Sequence, residues 1–139
     1  MIRSKPPLSS AVKFGKIFGV VLIAAAFAAP QARSEANLSG SWSGGGIVRY
    51  SDGHSERARC RAHFSQSGAH VSLQANCATP SGSVEQSATL RRVGPNSFAG
   101  SFFNPQFNVS GSIHITVHGN TQTVSLRSAS GSASLTLRH

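Results

Sequence analysis

From Ser55 to the C-terminus, polar and apolar residues alternate with a period of two, the pattern of strands that bury one face. Between Arg57 and Phe64 the even positions are Ala, Cys, Ala and Phe, and the odd ones are Arg, Arg, Arg and His. Between Phe107 and His118 the parity reverses, with Phe, Val, Gly, Ile, Ile and Val at the odd positions. Turn-forming residues punctuate the alternation. Asp52-Gly53, Gly68-Ala69, Ser81-Gly82, Asn104-Pro105, Gly119-Asn120 and Ser130-Gly131 predict two-residue hairpin loops, and Gly94-Pro95-Asn96 a three-residue loop. These turns delimit eight short strands.

Each loop fixes a register, because it decides which residues face each other. Gly119-Asn120 sets Ile115 opposite Val124, and Ser130-Gly131 sets Leu126 opposite Leu135 and Val124 opposite Leu137. Asn104-Pro105 sets Phe98 opposite Gly111 and Gly100 opposite Val109, so that large side chains cover glycines. Gly68-Ala69 sets Cys60 opposite Cys77 at a non-hydrogen-bonded pair, where a cross-strand disulfide is feasible. The first strand fits less simply. Asp52-Gly53 places Ile47 and Arg49 on the inner face with Ala58 and Glu56, and gives Trp42 the wrong parity. A bulge in Gly44-Gly45-Gly46 restores Trp42 to the core and leaves Arg49 to pair with Glu56 at the rim.

Eight sequential antiparallel strands predict an all-β fold, an up-and-down barrel that closes strand eight onto strand one. A flattened two-sheet sandwich is the alternative. Inward residues such as Trp42, Phe64, Phe98, Phe102, Phe107 and Val109 fill such a barrel and leave at most a small cavity. A third reading turns the apolar face outward to lipid. Against it, the strands run about seven to nine residues where a membrane barrel needs about 9–11, and one Trp and one Tyr cannot furnish two aromatic girdles.

The first 36 residues follow another logic. Arg3, Lys5, Lys13 and Lys16 precede an apolar run from Ile17 to Ala29, the layout of a secretory signal peptide. Small residues at Ser34 and Ala36 place cleavage after Ala36, with Ala26-Phe27-Ala28 as an earlier site. The expected organisation is a signal peptide over 1–36 and one domain over 37–139, delivered to the periplasm or secreted. The whole chain has 139 residues and a formal charge of +9. Removing residues 1–36 takes away five basic residues and one acid, leaving 103 residues at +5 with eight Arg and no Lys. An oxidising destination favours a Cys60–Cys77 disulfide.

Candidate chemistry is sparse. Asp52, Glu56 and Glu85 are the acids of the expected mature domain, too few and too scattered for paired-carboxylate catalysis. No nucleophile motif occurs, so no catalytic residue and no cofactor is expected. His114 and His118 share a strand face but lie about 13 Å apart, beyond reach of one metal ion, so no metal site is expected either. The strongest charged feature is the row Arg57, Arg59, Arg61 and His63 on one strand face, suited to an anionic or protein partner in the envelope or outside the cell. Export, the absence of Lys and the lack of exposed aromatics argue against nucleic acid. The short apolar run argues against an integral membrane protein.

Leu38-Ser39-Gly40-Ser41-Trp42 resembles the opening of calycin-type barrels, with their Gly-x-Trp on the first strand. Among them the chain is most similar to bacterial periplasmic inhibitors of secreted metalloproteases, small exported eight-stranded barrels with one disulfide. The resemblance implies structural roles for Gly40 and Trp42, with Trp closing the barrel base, and carries over no inhibitory residue. The expected function is a non-enzymatic binding protein; the alternatives are an inhibitor of a secreted or envelope hydrolase, or a small-ligand carrier.

Overall fold

The alternation is realised as strands throughout the computed structural model, which describes residues 35–139. The apolar run and the predicted cleavage motif up to Ser34 lie outside the described residues. The elements are β1 (Gly40–Tyr50), β2 (Ser55–Ser67), β3 (His70–Thr79), β4 (Gly82–Gly94), β5 (Ser97–Asn104), β6 (Val109–His118), β7 (Thr121–Ser128) and β8 (Gly131–Arg138). Each pairs antiparallel with the next, and β8 pairs with β1, so the sheet is a closed barrel rather than a sandwich. Phe64, Phe98 and Ile115 point inward and are almost completely buried, whereas Arg, His, Ser and Thr occupy the outer face. The apolar face is therefore the barrel interior. Burying each of the large side chains contributes about 1.5–3 kcal/mol.

Two hairpins have the expected register, with Cys60 opposite Cys77 across Gly68-Ala69 and Ile115 opposite Val124 across Gly119-Asn120. Cys60 and Cys77 form a disulfide. The β4–β5 register is also as expected, with Leu90 opposite Gly100, although the turn differs: Val93 bulges out and Pro95-Asn96 forms the loop. Two turns lie one residue earlier than expected. The loops are Pro80-Ser81 and Ala129-Ser130, so Leu126 faces Ala133 and Val124 faces Leu135. Gly82 and Gly131 follow these loops at φ +139° and +148°, a conformation that side-chain-bearing residues rarely adopt. The hydroxyls of Thr79 and Ser128 accept the Ser81 and Ser130 N–H groups and complete each turn.

The Asn104-Pro105 loop is a four-residue turn, Pro105 to Asn108, which shifts the register by four. Phe98 then faces Ile115, Gly100 faces Ile113, and Phe102 is the aromatic that covers Gly111. Phe107 leaves the core for the turn and is 64% exposed, and Val109 is only partly buried. The β1–β2 turn corrects more. Tyr50 N–H donates to the His54 carbonyl and Gly53 N–H to the Tyr50 carbonyl, giving a loop of three residues, Ser51 to Gly53. One extra residue inverts the parity of the whole strand. Val48, Gly46, Gly44 and Trp42 thus face inward without any bulge, while Ile47 and Arg49 face outward. Glu56 opposes Val48, and Arg49 opposes Ser55, so the expected Arg49–Glu56 pair does not form.

One end of the barrel is sealed. Residues 35–39 cross it, placing Leu38 fully inside; Leu38 N–H donates to Gln66 Oε1 at 2.8 Å, and Trp42 Nε1–H donates to the Leu38 carbonyl at 2.8 Å. Arg92 straps this segment down. Its guanidinium lies 4.8 Å from the Phe98 ring centroid and donates to the carbonyls of Ala36 and Pro95. Glu35 and Ala36, upstream of the predicted cleavage, are thereby tied into the domain. Beside the plug lies Gln122, completely buried, whose amide nitrogen and oxygen find no hydrogen-bond partner among the described residues.

An unpaired buried amide costs about 1–3 kcal/mol. Replacing Gln122 with Met, of similar volume, is expected to raise the urea midpoint of unfolding, and a lowered midpoint would refute the assignment. Closing a loop of 17 residues, the disulfide is expected to contribute about 3 kcal/mol by the chain-entropy estimate. A Cys60→Ser, Cys77→Ser double variant should lose that much in equilibrium denaturation.

Candidate functional site

The interior is divided by side-chain size. Towards the sealed end the inward positions hold Trp42, Phe64, Leu90, Phe98, Ile115 and Leu137. Towards the other end they hold Ala58, Ala62, Ala75, Ala88 and Ala133, and the lining leaves a cavity of about 610 Å³ open at that end. The expectation of at most a small cavity is therefore corrected. The large residues are numerous enough to fill a barrel of eight strands, but Trp42, Phe98 and Leu38 gather at the sealed end, and the cavity wall mixes the alanines with Leu73, Phe102, Ile113 and Leu135. The disulfide lies in the cavity wall, flanked on β2 by Ala58 and Ala62. Phe64, Leu73, Ile113 and Leu126 form deeper parts of the lining.

The mouth is ringed by the β1–β2, β3–β4, β5–β6 and β7–β8 turns, with Tyr50, His54, Ser81, Asn104, Phe107 and Ser130 at its edge. A hydrogen-bonded network joins two of these turns. Tyr50 Oη–H donates to Glu56 Oε1 at 3.1 Å, and the Ser81 hydroxyl donates to Glu56 Oε2. The His54 ring stacks on Tyr50 with centroids 4.3 Å apart, and its Nδ1 lies 2.7 Å from Asp52 Oδ1. On the opposite side Asn104 caps the β5–β6 turn, its Oδ1 accepting the N–H groups of Gln106 and Phe107. A mainly apolar interior with polar groups gathered at one rim suits a molecule that is mostly apolar.

Arg57, Arg59, Arg61 and His63 all lie exposed on the outer face of β2, away from the cavity. Trp42 is buried at the sealed end with its ring edge-on to Phe64 and to His139, and Gly40 pairs with Phe64. His114 and His118 sit on the exposed face of β6. Among the described residues no three His, Cys, Asp or Glu come together. Alternation alone did not reveal the cavity, because it distinguishes inward from outward and ignores volume. The usable signal is the inward series Ala58-Cys60-Ala62-Phe64 on β2, small and then large.

The mouth network sets a pH dependence. The Asp52 carboxyl is held below the usual carboxylate range, first by the His54 backbone N–H and then by the His54 ring. The Ser81 hydroxyl, followed by the hydroxyls of Thr79 and Tyr50, does the same for Glu56. A depressed folded-state pKa contributes stability above the unfolded value, and that contribution is lost as pH falls through the folded one. Burial first, and then the Glu56 carboxylate, pushes the Tyr50 phenol up, so its contribution is full below about pH 10 and declines above it. Glu56→Gln is expected to lose less of its urea midpoint between about pH 7 and pH 3 than the wild type. Parallel curves for the two proteins would contradict the network.

No protein-family model and no curated protein matches the chain. Solved structures do match in fold. A redesigned β barrel, mFAP1, bound to DFHBI, superposes with a TM-score of 0.63 at 16% identity, over 73% of this chain and 94% of that one. The redesigned barrel b11L5F_LGL gives 0.61 at 14%, over 80% and 98%. A de novo designed fluorescence-activating β barrel gives 0.59 at 14%, over 78% and 99%. At such identities the likeness establishes the barrel and nothing finer, and the inhibitor resemblance gains no support from it.

Proposed function

We propose that the protein is a non-enzymatic exported binding protein that carries a small, largely apolar molecule in the open half of its barrel. The observation that carries this reading is the cavity of about 610 Å³ walled by Ala58, Ala62, Ala75, Ala88 and Ala133. Its volume falls within the range of about 300–1,000 Å³ typical of small-molecule sites. The lining is mostly apolar, and the carboxylates near its mouth, Glu56 and Asp52, are engaged by Tyr50, Ser81 and His54, which speaks for binding by burial. The hydroxyls and ring nitrogen at the mouth can orient a polar end of the ligand. A cross-strand disulfide is compatible with an oxidising compartment, in keeping with the signal-like N-terminus. The fold neighbours mFAP1 and mFAP0 are each bound to DFHBI, so barrels of this architecture accommodate a small ligand.

The test is a titration with Nile red, whose emission rises in apolar surroundings. Saturable binding at one site per chain is expected. Ala75→Phe and Ala133→Phe, which place a ring in the cavity, should each weaken it by about tenfold or more, or about 1.4 kcal/mol. Circular dichroism confirms that the variants keep the barrel. Equal affinity in the filled variants would overturn the reading.

A further inference from the structure

The outer surface over β8, β1, β2 and β3 has a composition unlike the rest of the barrel. Its outward positions carry Arg49, Arg57, Arg59, Arg61 and Arg138, together with His63 and His70, and not one acid. Glu85, the nearest outward carboxylate in this direction, lies beyond on β4, opposite Asn76. The ion pairs found among the described residues, His54–Asp52 and Arg92–Glu35, involve none of the five arginines. Among the described residues none of the five arginines has a carboxylate partner, and Asp52, exposed in the β1–β2 turn at the end of this surface, is engaged by His54.

Its relief follows from the pairing. Ser43 lies between Arg61 on β2 and Arg138 on β8, and Gly45 lies between Arg59 and Thr136. With neighbouring strands about 4.8 Å apart, Arg61 and Arg138 stand about 10 Å apart across a floor of short side chains. Along β2 the guanidinium stems recur about every 6.6 Å. The result is a shallow trough running along β1, floored by Ser41, Ser43 and Gly45, walled on the β2 side by Arg57, Arg59 and Arg61 and on the β8 side by Arg138 followed by Thr136 and Ser134.

We propose that this trough binds an anionic polysaccharide, a linear glycan bearing carboxylate or sulfate groups. Repeating negative charges along the chain match the repeating Arg, which recognise such groups bidentately. Sugar hydroxyls match the floor and its flanks, where Ser41, Ser43, Ser134 and Thr136 supply hydroxyls and Gln74 and Asn76 supply amides. The face has no Trp, Tyr, Phe or Met, which single-stranded nucleic acid would need for stacking and a protein interface for its anchors. Ile47 and Ala78 are its only outward apolar side chains, too few to enter a lipid layer. Apart from Arg49, which also borders the cavity mouth, the site is separate from the cavity and does not depend on it.

The protein is titrated calorimetrically with heparin, polygalacturonate and neutral dextran, and with poly(dT) and phosphatidylglycerol vesicles as the other classes of polyanion. Heparin or polygalacturonate is expected to bind, more weakly at higher salt because the contacts are ionic. The triple variant Arg57→Ala, Arg59→Ala, Arg61→Ala should lose at least about tenfold in affinity. Arg91→Ala, on the outer face of β4, should not change it. Nile red uptake by the triple variant reports that the barrel remains folded if the cavity reading holds, and circular dichroism does so independently. The proposal is overturned if the triple variant binds the glycan as well as the wild type, if dextran binds equally, or if poly(dT) or vesicles bind more tightly than both anionic glycans.

Discussion

Closure of β1 onto β8 is the constraint on which the rest of this molecule depends. An eight-stranded sheet can close only if its strands coil tightly, and somewhere the backbones must approach more closely than side chains permit. Such approaches occur at Gly100 and Gly111 and, in a cluster, along β1. A Cβ at Gly44 would run into the Thr136 carbonyl, one at Gly46 into the Ser134 carbonyl, and one at Gly45 into the Ala58 carbonyl on the other side. Gly44 and Gly46 therefore let the seam close, and they also remove inward bulk from β1 above Trp42. Without the seam there would be two free edges and no enclosed space.

Within the closed sheet, two demands are met at opposite ends. Stability comes from the sealed half, where Leu38, Trp42, Phe64 and Phe98 interlock and Arg92 holds the incoming segment against Phe98. The open volume belongs to the half that carries the alanines, where the wall is kept in shape by the backbone hydrogen bonds of the closed sheet rather than by packing across the lumen. The mouth turns are cross-linked by Glu56, which connects the β1–β2 hairpin to the β3–β4 turn through Tyr50 and Ser81. An open cavity thus does not require a loose rim.

Much of this is legible in the residues, and the failures have a common physical origin. Gly68 and Gly119 occupy the first loop position with φ near +60°, as a primed two-residue turn requires, and their registers follow directly. Gly82 and Gly131 look the same in the sequence but serve as the residue after the turn, which moves each register by two while preserving which face is inward. The Asp52-Gly53 turn differs by a single residue, and an odd shift cannot preserve the faces; that is why Ile47 and Arg49 exchange sides with Val48. For the candidate site the Arg row on β2 is plain from alternation, because charge and parity coincide there. The cavity is not, because it depends on how residue volumes from eight strands align along the barrel axis.

The glycine-rich seam has a kinetic side. Pairs such as Ser43 with Arg138 join residues almost at opposite ends of the domain, so the loop-closure entropy of the seam is the largest in the sheet and its formation belongs late in folding. Until then β1 and β8 are edge strands able to recruit another chain. Ser and Gly dominate β1 and, with Thr, make up half of β8, and Arg49 and Arg138 add charge, so the unclosed intermediate presents a poor template for edge-to-edge association. The residues that let the barrel shut also protect it while it is still open.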